Sequence, residues 1–327
     1  MWAIIATRPG EPLPRPLPLA LTRRSYAARM IDVVAVRPPR LRAGDLVALV
    51  APAGPVPEDQ AARTERILAG WGLRTRQGRH SLGRSGFLSG TDDERLADLN
   101  AALRDPSVRG VMCLRGGYGS QRIVDRLDFA AVRADPKVVV GFSDITALHL
   151  ALWCEARLAT VHGPVGVALR EDTPAAEAVR RSMMTAEPVV VTAGPAAAGV
   201  PGRADGILLG GNLTLLAASC GTRHQPPVAG AILLLEEVNE AAYRVDRSLV
   251  QLRRAGWLDG VAGVALGHFT NCPGADAVLA EHLGGLGVPV LGGLPIGHDL
   301  AQIAVGLGLP ARIDTAAGTL TVEAPAR

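Results

Sequence analysis

The chain has 327 residues, 48% hydrophobic and 20% charged, which suits a globular protein of one large or two medium domains with a sizeable core. A formal net charge of +3, arginine as nearly the only basic residue (Lys137 is the sole lysine) and no basic run interleaved with aromatics argue against nucleic acid. No apolar run reaches the ~18 residues of a membrane span, and Cys113, Cys154, Cys220 and Cys272 form no CxxC pair, so zinc spacing and a disulfide framework are both excluded and a reducing cytoplasm is expected.

In chain order, residues 1–38 are rich in Pro and Arg and have no stable period. They lack the basic start, apolar core and cleavage site of a secretory signal, and are expected to be a disordered extension with Met30 as an alternative initiator. From Leu46 a regular alternation begins. LVALVAP reads as a buried strand, and PEDQAARTERILAGWG as a helix with Ala61, Ile67, Leu68 and Trp71 on its apolar side. TDDERLADLNAALRD opens with Thr91 and Glu94 in capping-box spacing. VRGVMCL is the next strand, QRIVDRLDFAAV the next helix, KVVVGF a strand and SDITALHLALWCEARL a helix. Such alternation implies βαβ units and a mainly parallel sheet. The N-terminal α/β domain is therefore placed at 41–187.

The alternation stops near Glu187, and 188–205 reads as a Gly/Pro/Ala-rich linker. Over 206–327 the grain changes to a smaller α+β domain. It contains GGNLTLLAASC, the strand AILLLEE, the helix AAYRVDRSLVQLRRAG, the strand VAGVALGHF and a hairpin turning at Ala317-Gly318.

Three readings compete for RGGYGSQR, where a strand ends at Leu114 and a helix is expected from about Gln121. Ser120 caps the helix, the glycine loop cradles a phosphate, or Ser120 is a nucleophile on a sharp turn with an oxyanion-binding N–H after it. The loop matches neither GxGxxG nor GxxxxGK[ST]. A nucleophilic serine needs a base. Among seven histidines, His149 sits inside an amphipathic helix, His162 follows a strand in HGP, and His298 in GGLPIGHD follows a Pro/Gly turn. Glu236 and Glu237 end an apolar strand, where a charge is costly without a partner. Asp144 in GFSDIT reads as a helix cap, and Arg247 as a carboxylate clamp or a member of an internal ion pair.

Taken together, GDLVALVAPAGP, LSGTDDERLADLN, RGGYGSQRIVDRLD, GFSDITALH, HGP, GGNLTLL, LLLEEVNEAAYRVDRSLVQLRRAG, GHF and LPIGHD resemble the LD-carboxypeptidases (muramoyltetrapeptide carboxypeptidases) and the related microcin C immunity peptidases. The resemblance runs from about Leu41 to the C-terminus. It implies an α/β fold: a flavodoxin- or amidotransferase-like parallel sheet with flanking helices, plus a C-terminal α+β swivelling domain. It also implies a cytoplasmic homodimeric serine peptidase acting on murein peptide, with no cofactor, metal, nucleic acid or membrane partner. Residue by residue, it makes Ser120 the nucleophile, His298 the base and Glu236 the acid. Many members have Glu-Asp where this chain has Glu236-Glu237. The N–H groups of Gln121 and Gly90 would bind the oxyanion, and Arg115, Tyr118 and Arg247 would contact substrate. The implied reaction removes the terminal D-alanine of the murein tetrapeptide. The immunity peptidases act instead on aminoacyl-sulfamoyl adenylates, and GGYGS is closer to the carboxypeptidase form.

Overall fold

A computed structural model of the chain describes residues 34–194 and 199–327. Most of the expected extension lies outside those residues, but its last part is built in. Val36 donates its N–H to Arg157 O at 2.8 Å and accepts from Ala159 N at 2.9 Å, and Arg327 N–H reaches Pro38 O at 3.0 Å. The packed chain therefore starts before Leu41, because the C-terminus and the segment before the fifth strand both bond to it.

The first half builds β1 (Leu46–Val50), α1 (Glu58–Gly70), β2 (Arg74–Gln77), α2 (Asp92–Arg104), β3 (Val108–Cys113) and α3 (Phe129–Ala134). β4 (Val138–Gly141), α4 (Thr146–Ala156), β5 (Thr160–His162) and α5 (Pro174–Met184) follow. Strands β1 to β5 pair in parallel. Both faces are apolar, as a parallel sheet requires. Val111, Cys113 and Val139 pack with α2, α3 and α4, while Leu49, Met112 and Val140 pack with α1 and α5.

The second half builds β6 (Val189–Thr192), β7 (Gly199–Val200), β8 (Arg203–Asn212), α6 (Leu213–Ala218), β9 (Ala231–Val238) and α7 (Ala242–Arg254). Next come β10 (Gly263–Thr270), α8 (Ala275–Leu283), β11 (Val290–Leu291), β12 (Val305–Leu307), β13 (Leu309–Asp314) and β14 (Thr319–Val322). Its sheet runs β6-β14-β13-β8-β9-β10-β11-β7, and β8 to β11 are parallel. The β13–β14 hairpin forms where the sequence placed it, with Asp314 opposite Thr319. Residues expected as linker instead supply two edge strands, β6 on β14 and β7 on β11. Residues 195–198 of that stretch lie outside the described residues.

Two features join the halves. β12, late in the sequence, crosses back to pair antiparallel with β5, Val305 opposite His162. Helix α4 is buried all round, with Leu148 and Leu152 facing the first core and Leu150 and Trp153 the second. At its start the Thr146 hydroxyl accepts the Asn212 N–H at 3.1 Å, where both residues are buried. Thr146→Val should leave that N–H unpaired and cost about 1–3 kcal/mol, whereas Thr146→Ser should cost clearly less. Urea unfolding of the two variants measures the difference.

Candidate active site

The candidate residues gather at the carboxyl ends of the parallel strands in both sheets, where open α/β folds bind ligands. β3 leads into the glycine bend, β4 into Phe142–Asp144, β9 ends at Glu236 and Glu237, and β10 ends beside the chain before His298.

The two glutamates are neighbours on one strand, so their side chains point to opposite faces. Glu236 is fully buried, and its Oε2 lies 2.7 Å from His298 Nδ1. Burial pushes its carboxyl above the ordinary carboxylate range, and the His298 hydrogen bond opposes that rise. Glu237 does structural work instead. It accepts from Asn212 Nδ2 at 2.8 Å, from Thr214 N at 2.8 Å and Oγ1 at 2.7 Å, and from Val238 N at 2.9 Å. It thereby covers the first turn of α6.

His298 is fixed from several directions. Its carbonyl accepts from Thr270 Oγ1 at 2.5 Å, and its ring lies 4.6 Å from the Phe142 ring. Gly297 has φ +103°, and a Cβ there would stand 2.6 Å from Glu236 Oε2. Only glycine lets the chain pass so close to the carboxylate.

The bend itself differs from expectation in one respect. No α-helix begins at Gln121: Ser120–Arg122 and Val124–Arg126 are single 3-10 turns, and the α-helix starts only at Phe129. Bonds to α2 interrupt it. Asn100 donates to Arg126 O at 3.2 Å and accepts from Asp128 N at 2.8 Å, after which Asp128 caps a new helix through Ala131 N at 3.0 Å. A helix macrodipole therefore does not act on Ser120. Any anion bound there must rely on individual N–H groups.

Ser120 is 1% exposed, and its Oγ has no hydrogen-bond partner among the described residues. Its own N–H donates to Asp144 Oδ2 at 2.8 Å. Asp144 was expected to cap a helix. It caps none and braces the bend instead. Phe142, two residues earlier, carries the His298 ring, so one short segment touches both the serine's backbone and the imidazole. A Ser120–His298 hydrogen bond is not formed in this structure, and such contacts commonly tighten only in the substrate complex. Neither the Gln121 N–H nor the Gly90 N–H has an acceptor among the described residues.

The expected substrate contacts separate. Arg115 and Tyr118 belong to the bend: Arg115 donates to Pro55 O at 2.7 Å, and the half-exposed Tyr118 ring lies 5.7 Å from Phe87. Arg247 lies on α7, its guanidinium 5.8 Å from the Tyr243 ring, and makes no hydrogen bond to Ser120, Glu236 or His298. A cavity of about 540 Å³ between β10 and α8 is lined by Leu266, Gly267, His268 and Leu279, and the three central residues do not line it.

Sequence reasoning overlooked Phe142, Asn212 and Arg95. Arg95 is 2% exposed and donates to Gly119 O at 3.0 Å. The available signal was its position four residues before Leu99, on the buried side of α2.

Behind Phe142 stand two buried histidines. His149 is held at Gly141 O by a 2.9 Å bond, and burial pulls its imidazole down to about 4. His162 is fully buried and held well below its ordinary range by burial and then by His149 and His298. Both are neutral when folded, but the unfolded chain takes up protons below about pH 6.5. Stability should thus be complete above pH 6.5 and fall toward pH 4, with roughly 3 kcal/mol lost through His149 alone. Denaturant midpoints across that range test this, and His149→Leu should flatten the profile.

The chain matches the LD-carboxypeptidase N-terminal domain family over residues 47–163 and the LD-carboxypeptidase C-terminal domain family over 205–313. It is 48% identical to a Streptomyces coelicolor protein assigned as a carboxypeptidase, over 89% of this chain and 97% of that one. It is 36% identical to the murein tetrapeptide carboxypeptidase of Pseudomonas aeruginosa, over 77% and 87%. Among solved structures, the muramoyltetrapeptide carboxypeptidase of Oxalobacter formigenes superposes with a TM-score of 0.75 at 29% identity, covering 85% of this chain and 97% of that one. The microcin C7 self-immunity protein superposes at 0.81 with 23% identity, covering 88% and 98%, a likeness of fold. Among the described residues, no helix is long and apolar enough to cross a membrane.

Proposed function

The chain belongs to the LD-carboxypeptidase family of serine-type carboxypeptidases, and we propose that it releases the terminal D-alanine of murein tetrapeptide through Ser120, His298 and Glu236. The observation that carries the residue assignment is the 2.7 Å bond between His298 Nδ1 and the wholly buried Glu236. It leaves Nε2 as the free ring nitrogen, the tautomer a general base requires.

The Ser120 hydroxyl attacks the carbonyl carbon of the L-configured centre of the scissile amide and passes its proton to His298 Nε2. Glu236, wholly buried, then faces an imidazolium, and in that low-dielectric position its charge counts most. The negative oxygen of the tetrahedral intermediate takes the N–H of Gln121, and the N–H of Gly90 is the second donor in this reading. Collapse breaks the C–N bond, and the imidazolium gives its proton to the departing D-alanine amine. Water next attacks the acyl-serine, returning a proton to His298 and then to Ser120. Arg115 stands beside the bend as the cation for the substrate's terminal carboxylate, and Arg247 on α7 is the second candidate for that role. The names of the Pseudomonas and Oxalobacter relatives support the substrate assignment. Family resemblance also brings a cytoplasmic homodimer into the proposal, which sedimentation of the purified protein tests.

Mass analysis of disaccharide tetrapeptide digests should show tripeptide and free D-alanine. Ser120→Ala and His298→Ala should each lower kcat by about 10⁴-fold or more, with the double variant no worse than the singles. Tetrapeptide left intact while an aminoacyl-sulfamoyl adenylate is cleaved would move the assignment to the immunity chemistry.

A further inference from the structure

The carbonyl of Gly119 and the N–H of Ser120 are two ends of one peptide unit, and each end meets a buried side chain of opposite charge. From α2, Arg95 Nη1 donates to Gly119 O at 3.0 Å and also to the Pro52 carbonyl. From the turn after β4, Asp144 Oδ2 accepts the Ser120 N–H at 2.8 Å. Arg95 is 2% exposed and Asp144 1%. A peptide dipole has its negative end at oxygen and its positive end at N–H, so cation and anion are both in the favourable orientation.

The surroundings adapt to this arrangement rather than the reverse. Gly119 has φ +133°, and a Cβ there would stand 2.9 Å from Arg95 Nη1, so the guanidinium approaches through the space of a missing side chain. Arg95 shares Asp92 with Arg122, whose Nε and Nη2 both reach that carboxylate at 2.9 Å, which ties the residues on either side of Ser120 to α2. Ser143, just before Asp144, sits at φ +62°, an unfavourable conformation for a residue with a Cβ. The Asp144 carboxylate forms no ion pair among the described residues, and its only hydrogen bond there is to the Ser120 N–H. A buried charge without a salt bridge calls for a reason.

We propose that Arg95 and Asp144 are positioning residues that clamp the Gly119–Ser120 peptide end to end, aim the Ser120 hydroxyl, and withhold the Ser120 N–H from the oxyanion so that the Gln121 N–H carries it. In the absence of an α-helix after the bend, this clamp replaces the fixed backbone that a helix would supply. The inference rests on Ser120 being the nucleophile. It adds a consequence of its own, because the serine's own amide is already committed and cannot serve as an oxyanion donor.

Steady-state kinetics on disaccharide tetrapeptide, with thermal midpoints for each variant, test it. Asp144→Ala and Arg95→Met should each lower kcat by about 10- to 100-fold with KM within about twofold, and the double variant should fall no further than the worse single. Asp144→Asn keeps an acceptor oxygen and should recover most of kcat. Should Asp144→Ala not fold, Asp144→Glu takes its place, since one added methylene misaligns the same bond. Wild-type kcat in the folded Ala or Glu variant, or a loss confined to KM or to the thermal midpoint, overturns the clamp. Full activity in Ser120→Ala would instead overturn the assignment of the nucleophile, which keeps the two failures distinct.

Discussion

Much of the molecule is arranged around a carboxylate that has no contact with solvent. Glu236 ends a strand of apolar residues at full burial, and a buried charge destabilises a fold unless a partner with good geometry meets it. The partner is a single imidazole nitrogen, and bringing it there constrains a long stretch of chain. After β11 the backbone leaves the second sheet, passes Gly297 against the carboxylate, presents His298, and enters the first sheet as β12. Glu236 and His298 are thus held by the junction between two sheets, and β12 limits how far one half can swing against the other.

The same junction brings the serine bend into range. Phe142 lies against the His298 ring and Asp144 against the Ser120 amide, so three residues after β4 connect groups from both halves. This explains how a bend without an α-helix can still be rigid. The usual account of such a turn invokes the helix dipole. Here the chain makes two 3-10 turns, and side chains from α2 and from the β4 turn hold the backbone instead. A side-chain brace of this kind acts on one peptide plane, whereas a dipole acts on everything near the helix end.

Glu237 shows how a single residue's place on a strand decides which partners a carboxylate meets. It has the same chemistry as Glu236 and adjoins it in sequence, yet alternation turns it to the other face, where four donors and the first turn of α6 absorb its charge. Composition cannot separate the two, because both follow the same apolar run. The direction of each side chain relative to α6 and to the His298 loop does.

Local patterns were legible in the sequence because they act over a few residues. Alternating apolar strands and helices in the first half, the Thr91–Glu94 capping box, the β13–β14 turn and the burial of the strand before Glu236 all follow from period and propensity. Contacts distant in sequence could not be read this way. The helix expected after Gln121 is broken by Asn100 from another helix, Arg95 and Asp144 meet at one peptide from positions 49 residues apart, and β12 returns to a sheet built from the first half of the chain. The sequence by itself determined which segments are strands and helices and which charges needed partners. Tertiary structure alone decided which partners they found, because those bonds depend on how the two sheets come together and not on neighbouring residues.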